Sequence, residues 1–338
     1  MANASSGLAP RQLAELETCG QGHLVGRLKA LDGDAQAAFA AQLGKIDWRE
    51  LVPPDSTAAE HSDDKEDNDE LQPPDVIELA AREALSESCV AVGEAAYARG
   101  EVAVLIVAGG QGTRLGFDGP KGCFPILQGD SDTPATSIYE LLSEKVKQAA
   151  ARAAGAVPLL VMTSPATDAQ TRAFFEASGD FGIDGGARFF SQSMVPSLDE
   201  KGRAVLANPS SLLMNPDGHG GCFEALVDSG ELARLVRDGV KWLLYLQVDN
   251  VLAKAWDPFA VGLSISRKAD ALTKVLRKRD PDERVGHLVR RGERDAIVEY
   301  TELSATQVRT LAADGKPLFR WGNTAMHCWR VGMLGDLA

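Results

Sequence analysis

The sequence predicts an α/β fold with a mixed, mostly parallel sheet. Four apolar segments of strand length support this prediction, namely "EVAVLIVAGG", "AVPLLVMTS", "ARFFSQS" and "VKWLLYLQVDN". Near-continuous apolar runs are typical of strands that are buried on both faces of a sheet. Helical segments such as "TSIYELLSEKVKQAAARAAG" lie between them. Because strands and helices alternate along the chain, we expect a largely parallel sheet covered by helices.

The N-terminal third differs from this alternating pattern. Residues 8–47 are rich in Ala, Leu, Gln and Glu, and they predict short helices. Residues 53–75 lie between two Pro-Pro pairs and carry seven acids from Glu60 to Glu70, which predicts a solvated acidic loop. We therefore expect an N-terminal helical region over residues 1–99, including this loop at 53–75, and an α/β domain over 100–338.

Composition excludes several classes of protein. The net charge of −13 argues against general nucleic-acid binding, which needs a basic face. Five scattered cysteines form no CxxC pair, so we expect free thiols rather than a zinc ribbon or a disulfide framework. The sequence shows no signal peptide and no apolar run of membrane-spanning length. We expect a cytoplasmic protein with neither nucleic acid nor membrane among its partners.

A glycine-rich loop follows the first apolar strand, in "LIVAGGQGTRLGFDGPKG" from Leu105 to Gly122. It lacks the GxxxxGK[ST] string of a P-loop. Its GxGxxxG spacing is weak evidence for a dinucleotide-dependent oxidoreductase and leaves Arg114 and Lys121 unexplained. The L-x-A-G-G-x-G-T-R-L pattern, with a lysine several residues later, is instead typical of nucleotidyltransferases. The simpler alternative is a tight glycine turn with two surface cations.

The residue types in this loop suit a nucleoside triphosphate. Glycines let backbone N–H groups approach the phosphates closely. Arg114 is expected to donate a planar fork to the β and γ oxygens, and Lys121 to neutralise the α-phosphate. The expected backbone contacts are Ala108, Gly109, Gly110, Gln111 and Gly112.

On these residues and five further segments, the chain resembles the eukaryotic-type UDP-sugar pyrophosphorylases, most closely their UDP-N-acetylglucosamine branch. The resemblance runs in order through most of residues 100–330 and implies a Rossmann-like, GT-A-like nucleotidyltransferase domain. In "FFSQSMVPSLD" (189–199) it assigns the uracil contact to Gln192. In "NPDGHGGCFEAL" (215–226) it assigns a uridine contact to Gly218. His219 stands there where the family more usually has asparagine, which leaves the sugar open.

The remaining segments concern the metal and the sugar. By resemblance, "YLQVDNVLAKAWDP" (245–258) places Mg²⁺ on Asp249, with Asn250 beside it, and "VEYTEL" (298–303) supplies the sugar contacts Glu299 and Tyr300. "WGNTAMHCW" (321–329) supplies the sugar contact Asn323. His219 and Asn250 are also expected on the sugar side of the site.

The residues support two of these roles independently. Asp249 follows an apolar strand, at the end where open α/β sheets bind ligands, and a carboxylate there suits Mg²⁺. The alternative is a structural aspartate or a helix N-cap. Glu299 is predicted on a strand that faces a pocket, and its alternative is a solvated strand acid.

The resemblance implies a uridylyltransferase that uses UTP, Mg²⁺ and a sugar 1-phosphate, with N-acetylglucosamine 1-phosphate as the first expectation. Family members continue well beyond the segment at 321–329, whereas this chain ends at Ala338, so we expect the family's C-terminal part to be missing. A nucleotide-binding regulatory homologue therefore stays open as the alternative, ahead of an NADP-type oxidoreductase. The oligomeric state is left open.

Overall fold

The computed structural model describes residues 7–51, 71–131, 134–218 and 220–336. These residues fall into two compact units. The first contains residues 7–51 and 193–217, and the second contains the other described residues. Residues 53–70 of the predicted acidic loop at 53–75 lie outside the described residues.

The helices and strands are numbered in chain order. The helices are α1 (Pro10–Thr18), α2 (Gly22–Lys29), α3 (Gly33–Leu43), α4 (Trp48–Leu51), α5 (Leu79–Ala98), α6 (Ile138–Ala153), α7 (Asp168–Ala177), α8 (Cys222–Asp228), α9 (Glu231–Arg237), α10 (Pro258–Arg267), α11 (Ala305–Arg309) and α12 (Val331–Leu334). The strands are β1 (Leu71–Gln72), β2 (Val102–Val107), β3 (Pro125–Leu127), β4 (Thr136–Ser137), β5 (Leu159–Thr163), β6 (Ala187–Ser191), β7 (Met194–Pro196), β8 (Leu206–Asn208), β9 (Ser211–Leu212), β10 (Met214–Pro216), β11 (Trp242–Gln247), β12 (Ala271–Arg277), β13 (His287–Arg291), β14 (Arg294–Val298) and β15 (Trp321–Arg330).

The first unit packs helices α1–α4 against two small antiparallel sheets. Strand β7 pairs with β10, and β8 pairs with β9. Leu24, Leu28 and Phe39 form the centre of its core, and Ala204 and Leu212 from the later segment are buried in the same cluster. The short helices thus bury their apolar faces on a segment that is distant in sequence.

The second unit is built on a nine-stranded mixed sheet with the order β1-β13-β15-β11-β2-β5-β6, to which β12 adds along β15 and β14 along β13. Strands β11, β2, β5 and β6 are parallel neighbours, and the other half of the sheet is antiparallel. The predicted α/β fold class with a mixed sheet is confirmed.

Side-chain alternation along β2 explains why this strand is apolar throughout. Val102, Val104 and Ile106 pack into one core cluster, whereas Ala103 and Leu105 pack into the cluster on the other face. Because successive side chains of a strand point to opposite faces, both faces of the sheet are covered. The carboxyl ends of the parallel strands are thereby fixed at one edge of a rigid core.

The compact units do not coincide with the predicted boundary between residues 99 and 100. Helix α5 belongs to the second unit because it crosses α10 at very close range. A Cβ at Gly93 would lie 1.9 Å from the carbonyl oxygen of Pro258, and one at Gly262 would lie 1.7 Å from that of Cys89. Only glycine permits this approach, so the two helices pack backbone to backbone.

The C-terminal strands β13 and β14 form a hairpin. Its turn lies in "RRGERD", where Gly292 has a φ of +58°. None of the helices in the described ranges combines the length and the apolar character needed to span a bilayer.

Candidate nucleotide-binding site

The glycine-rich loop begins where β2 ends, and its later residues return to hydrogen-bond with its first residues. The Ala108 N–H donates to the carbonyl oxygen of Met162 at the end of β5, at 2.8 Å. Further along, the Gly112 N–H donates to the Gly119 carbonyl at 2.8 Å, and the Lys121 N–H donates to the Gly110 carbonyl at 3.0 Å. These bonds return Lys121 to the start of the loop.

Gly109 has a steric reason to lack a side chain, whereas a Cβ at Gly110 would make only an ordinary van der Waals contact. A Cβ at Gly109 would lie 2.4 Å from Nε2 of Gln192, a distance that real Cβ atoms do not show. A Cβ at Gly110 would meet Cε of Lys121 at 3.7 Å, on the side where the lysine returns. The open backbone at both positions is therefore lined by a side-chain amide and an ammonium group.

Gln192 lies beside the loop and is positioned there by its backbone. It follows β6, its side chain is buried, and its N–H donates to the carbonyl of Thr163 at 2.9 Å. The Ser164 hydroxyl donates to the Gly109 carbonyl at 2.8 Å and joins the ends of β5 and β2. The predicted uracil-reading residue thus lies against the predicted phosphate loop.

Asp249 lies two residues beyond the end of β11, as expected from the sequence. The Nζ of Lys121 donates to Oδ2 of Asp249 at 3.0 Å, and the two side chains are 22% and 49% exposed. Because β11 and β2 are adjacent parallel strands, their carboxyl ends bring these two residues together. A cation and an anion therefore meet at the edge of the sheet and stay accessible.

Arg114 lies apart from this pair. It is in a short 3₁₀ helix, Thr113–Leu115, and its side chain is exposed. Within the described ranges it takes part in no ion pair or hydrogen bond through its guanidinium group. Its five donors are thus available to an anion outside the protein.

Asn250 is fixed by an irregularity in β15. The pairing of β12 with β15 shifts register between Thr273 and Val275, and Ala325 has a φ of +49° at that point. A bulge of this kind re-aims side chains at sheet edges. Here the Nδ2 group of Asn250 donates to the Met326 sulfur at 3.4 Å, which places β15 beside the segment that carries Asp249.

Asn323 and Glu299 flank one glycine. The Asn323 N–H donates to the Gly286 carbonyl at 2.8 Å, and a Cβ at Gly286 would lie 3.2 Å from Oε1 of Glu299. The Oδ1 atom of Asn323 accepts the Ala325 N–H at 2.9 Å. The structure thus brings together two of the predicted sugar contacts.

The placement of Glu299 within a strand was wrong. Strand β14 ends at Val298, which pairs with His287 of β13. Glu299 therefore follows the strand, and Tyr300 begins the next turn. Both side chains are exposed. The Glu299 N–H donates to a carboxylate oxygen of Glu302 at 3.1 Å, which explains why the chain turns here instead of continuing the strand.

Gly218 is less closely connected with this site. Gly218 lies in a turn before α8 and has a φ of +84°, with open space where a Cβ would project. His219 lies outside the described residues. His327 packs against Trp329 and Tyr245 and shares a hydrogen bond with Thr273, which is the environment of a packed histidine rather than of a base.

The loop offers no activated thiol. Cys123 follows Lys121, and burial raises the pKa of its thiol to about 11. A thiol with that pKa is protonated at neutral pH and is a poor nucleophile. All five cysteines are free thiols, as expected from the sequence. The site is thus equipped to hold charge rather than to form a covalent intermediate.

Sequence inspection missed Ser164 and Met326. Ser164 stands directly after a buried strand, and this position was a usable signal, because the carboxyl ends of parallel strands share one edge. Met326 gave no signal, because the bulge that turns it towards Asn250 is a feature of tertiary pairing.

The chain is similar to several known proteins. The family model described as UTP–glucose-1-phosphate uridylyltransferase matches residues 55–324. A probable UDP-N-acetylglucosamine pyrophosphorylase of Schizosaccharomyces pombe is 38% identical over 80% of this chain and 58% of its own length. The UDP-N-acetylglucosamine pyrophosphorylase of Saccharomyces cerevisiae is 34% identical over 72% of this chain and 51% of its own length. The chain therefore spans little more than half the length of these relatives.

A solved structure shows the same fold. The uridine diphosphate N-acetylglucosamine pyrophosphorylase of Trypanosoma brucei, in complex with an inhibitor, superposes with a TM-score of 0.77 at 28% identity. The superposition covers 99% of this chain and 68% of that one. Because the family model matches well over half of the sequence, the chain belongs to the UTP–glucose-1-phosphate uridylyltransferase family.

Proposed function

We propose that this protein forms a UDP-sugar and pyrophosphate from UTP and a sugar 1-phosphate. The contact between Lys121 and Asp249 carries the proposal, since it joins the glycine-rich loop to the acidic end of β11. Similar proteins from the two yeasts are named for UDP-N-acetylglucosamine, so N-acetylglucosamine 1-phosphate is the sugar we propose first.

The nucleotide would lie along the carboxyl edge of β2, β5 and β6. Backbone groups of residues 108–112 would face the phosphates, where the absence of side chains allows close approach. Gln192 would hydrogen-bond the uracil edge, because its side chain is buried with its amide against Gly109. Gly218 would add a backbone contact to the uridine.

The reaction needs positioning and charge neutralisation. An oxygen of the sugar 1-phosphate forms a bond to the α-phosphorus of UTP, and the bond from that phosphorus to the pyrophosphate oxygen breaks. The bonding electrons leave with pyrophosphate. Lys121 would stabilise charge at the α-phosphate, and Arg114, whose guanidinium is exposed, would bind the leaving pyrophosphate.

We further propose that Asp249 holds Mg²⁺. The residues fit this ion, because Mg²⁺ is commonly held by one or two carboxylates together with substrate phosphates, and the Asp249 carboxylate is half exposed. The described ranges contain no group of three acidic, histidine or cysteine side chains that could hold a metal alone. When bound, the ion would neutralise phosphate charge.

The sugar would lie at the junction of β11, β14 and β15. Asn250, Glu299, Tyr300 and Asn323 are the proposed contacts. Glu299 and Asn323 support this role because they flank Gly286, and Asn250 supports it because it follows Asp249 directly. His219 is proposed as the fifth contact from its place in the sequence motif.

The decisive experiment is pyrophosphate release from UTP with a panel of hexose and N-acetylhexosamine 1-phosphates, with and without Mg²⁺. Release with one sugar supports the proposal and identifies the substrate. UTP binding by calorimetry without release across the panel would overturn the transferase function and favour a nucleotide-binding regulator. The proposed catalytic domain is the α/β domain over residues 100–338. The proposed location of the protein is the cytoplasm.

A further inference from the structure

A cavity in the second unit, apart from the glycine-rich loop, is strongly basic. It has a volume of about 400 Å³ and lies among α5, α6 and the segment from 253 to 259. Four cationic side chains line it, which are Arg82 from α5, Lys145 and Arg152 from α6, and Lys254. This local cluster of positive charge contrasts with the net charge of the whole chain, which is −13.

The acid in this lining does not balance these cations. Asp257 is the one carboxylate among the cavity's lining side chains within the described ranges. Its Oδ1 accepts the Ala260 N–H at 3.2 Å and caps α10, and its Oδ2 pairs with Lys274. Because Asp257 is already committed to a helix cap and to an outside lysine, the positive charge in the cavity is left uncompensated.

Lys145 is the innermost of the four cations. It is partly buried, and its ammonium donates to the carbonyls of Val251 and Ala253, the latter at 3.0 Å. An ammonium has three donors, so one is left for a ligand. Burial and the charge of Lys254 lower the pKa of Lys145, and the negative charge of a bound anion would offset this lowering.

We propose that this cavity binds a small phosphate-bearing molecule. Lys145, Arg152 and Lys254 would bind the phosphate through charge-assisted hydrogen bonds, and the ring of Trp256 in the same lining would pack against an organic group. The Arg82 guanidinium lies 5.1 Å from the centre of the Phe259 ring, which holds it at the rim.

This site is separate from the proposed nucleotide site but is linked to it by the chain. Val251 and Ala253, whose carbonyls bind Lys145, follow Asp249 by two and four residues. A ligand on Lys145 therefore acts on the segment that carries Asp249. We expect occupancy of the cavity to slow hydrogen exchange of the backbone amides from 250 to 256.

The test is calorimetry with inorganic phosphate and with phenyl phosphate, on the full chain and on the double variant R152Q/K254Q. Both substituted residues are exposed, so the fold is expected to survive. Loss of two exposed cations should weaken binding by about fivefold or more. The control R237Q/R284Q removes the same charge from exposed positions outside the cavity and should bind normally.

A third variant, K121A, distinguishes the cavity from the glycine-rich loop. Phosphate binding that survives in K121A and weakens in R152Q/K254Q supports the proposal, whatever the outcome of the UTP assay. Equal affinity for both probes identifies bare phosphate as sufficient, and tighter binding of phenyl phosphate identifies an organic phosphate. Binding that is absent, or equal in R152Q/K254Q and R237Q/R284Q, would overturn the proposal.

Discussion

The Nζ of Lys121 lies 3.0 Å from Oδ2 of Asp249, although the two residues are 128 positions apart in the chain. Parallel pairing of β2 with β11 produces this contact, because each residue follows its own strand at the same edge of the sheet. Since both side chains are partly exposed, the pair is held mainly by the backbone that positions it. A phosphate that enters the site would meet both charges together.

The substitution Lys121→Ala is expected to lower the rate of pyrophosphate release from UTP by about 100-fold or more, because it removes preorganised positive charge at the reacting phosphate. The thermal midpoint should change little, since the ion pair is partly exposed. Steady-state assays and a melting curve measure both effects.

Lys147→Ala is the matched control for this variant. Lys147 forms a comparable exposed pair with Glu144 on α6, away from the loop. It should retain full activity. Equal activity in the Lys121 and Lys147 variants would remove Lys121 from the mechanism.

Asp249→Asn is expected to raise the Mg²⁺ concentration needed for half-maximal activity by about tenfold, because a neutral amide is a weaker ligand for a hard cation than a carboxylate. Lys121 stays in place in this variant and loses only its partner. A magnesium titration of the initial rate provides the measurement. A titration curve that matches the unsubstituted chain would rule out Asp249 as the metal ligand.

Gly109→Ala is expected to weaken UTP binding. The added methyl group would lie 2.4 Å from Nε2 of Gln192, so either the loop or the glutamine must move. UTP affinity measured by calorimetry should fall by about tenfold or more, since overpacking displaces both the proposed phosphate loop and the proposed uracil contact.

Gly26→Ala is the control for this change. Gly26 lies in α2 with no atom within 4 Å of an added Cβ, so alanine there should leave UTP binding intact and stabilise the helix by up to about 1 kcal/mol. Normal UTP affinity in the Gly109 variant would show that the close approach to Gln192 is not needed for binding.

The sequence predicted where the candidate site lies on the sheet better than it predicted how the helices pack and where the strands end. Asp249 and the loop at 108–122 were predictable, because apolar runs mark buried strands and ligands bind where such strands end. The crossing of α5 with α10 could not be predicted. It depends on the close backbone approach of Gly93 and Gly262 to the facing helix, and the local sequence pattern does not show which helix that is. The end of β14 before Glu299 could not be predicted either. It is accompanied by a hydrogen bond from the Glu299 N–H to the Glu302 carboxylate, which forms in the folded chain.

His287 makes the stability of the C-terminal strands sensitive to pH. Its ring is buried, and its Nε2 lies 2.6 Å from Nζ of Lys278. Burial, and then the charge of Lys278, lower the pKa of His287 below its ordinary value of 6.5. At any pH near 6.5 the folded ring is therefore protonated to a smaller extent than the unfolded ring.

The direction of the effect follows from this difference. As the pH falls from about 7.5 through 6.5 towards the lowered pKa, the unfolded state binds a proton that the folded state does not, so the free energy of unfolding falls. Lys278→Met should raise the pKa of His287, measured by NMR titration, and reduce this loss of stability between pH 7.5 and 5.5 in urea unfolding. Lys29→Met, an exposed charge in α2, should leave both unchanged. An unaltered His287 titration in the Lys278 variant would assign the lowered pKa to burial alone.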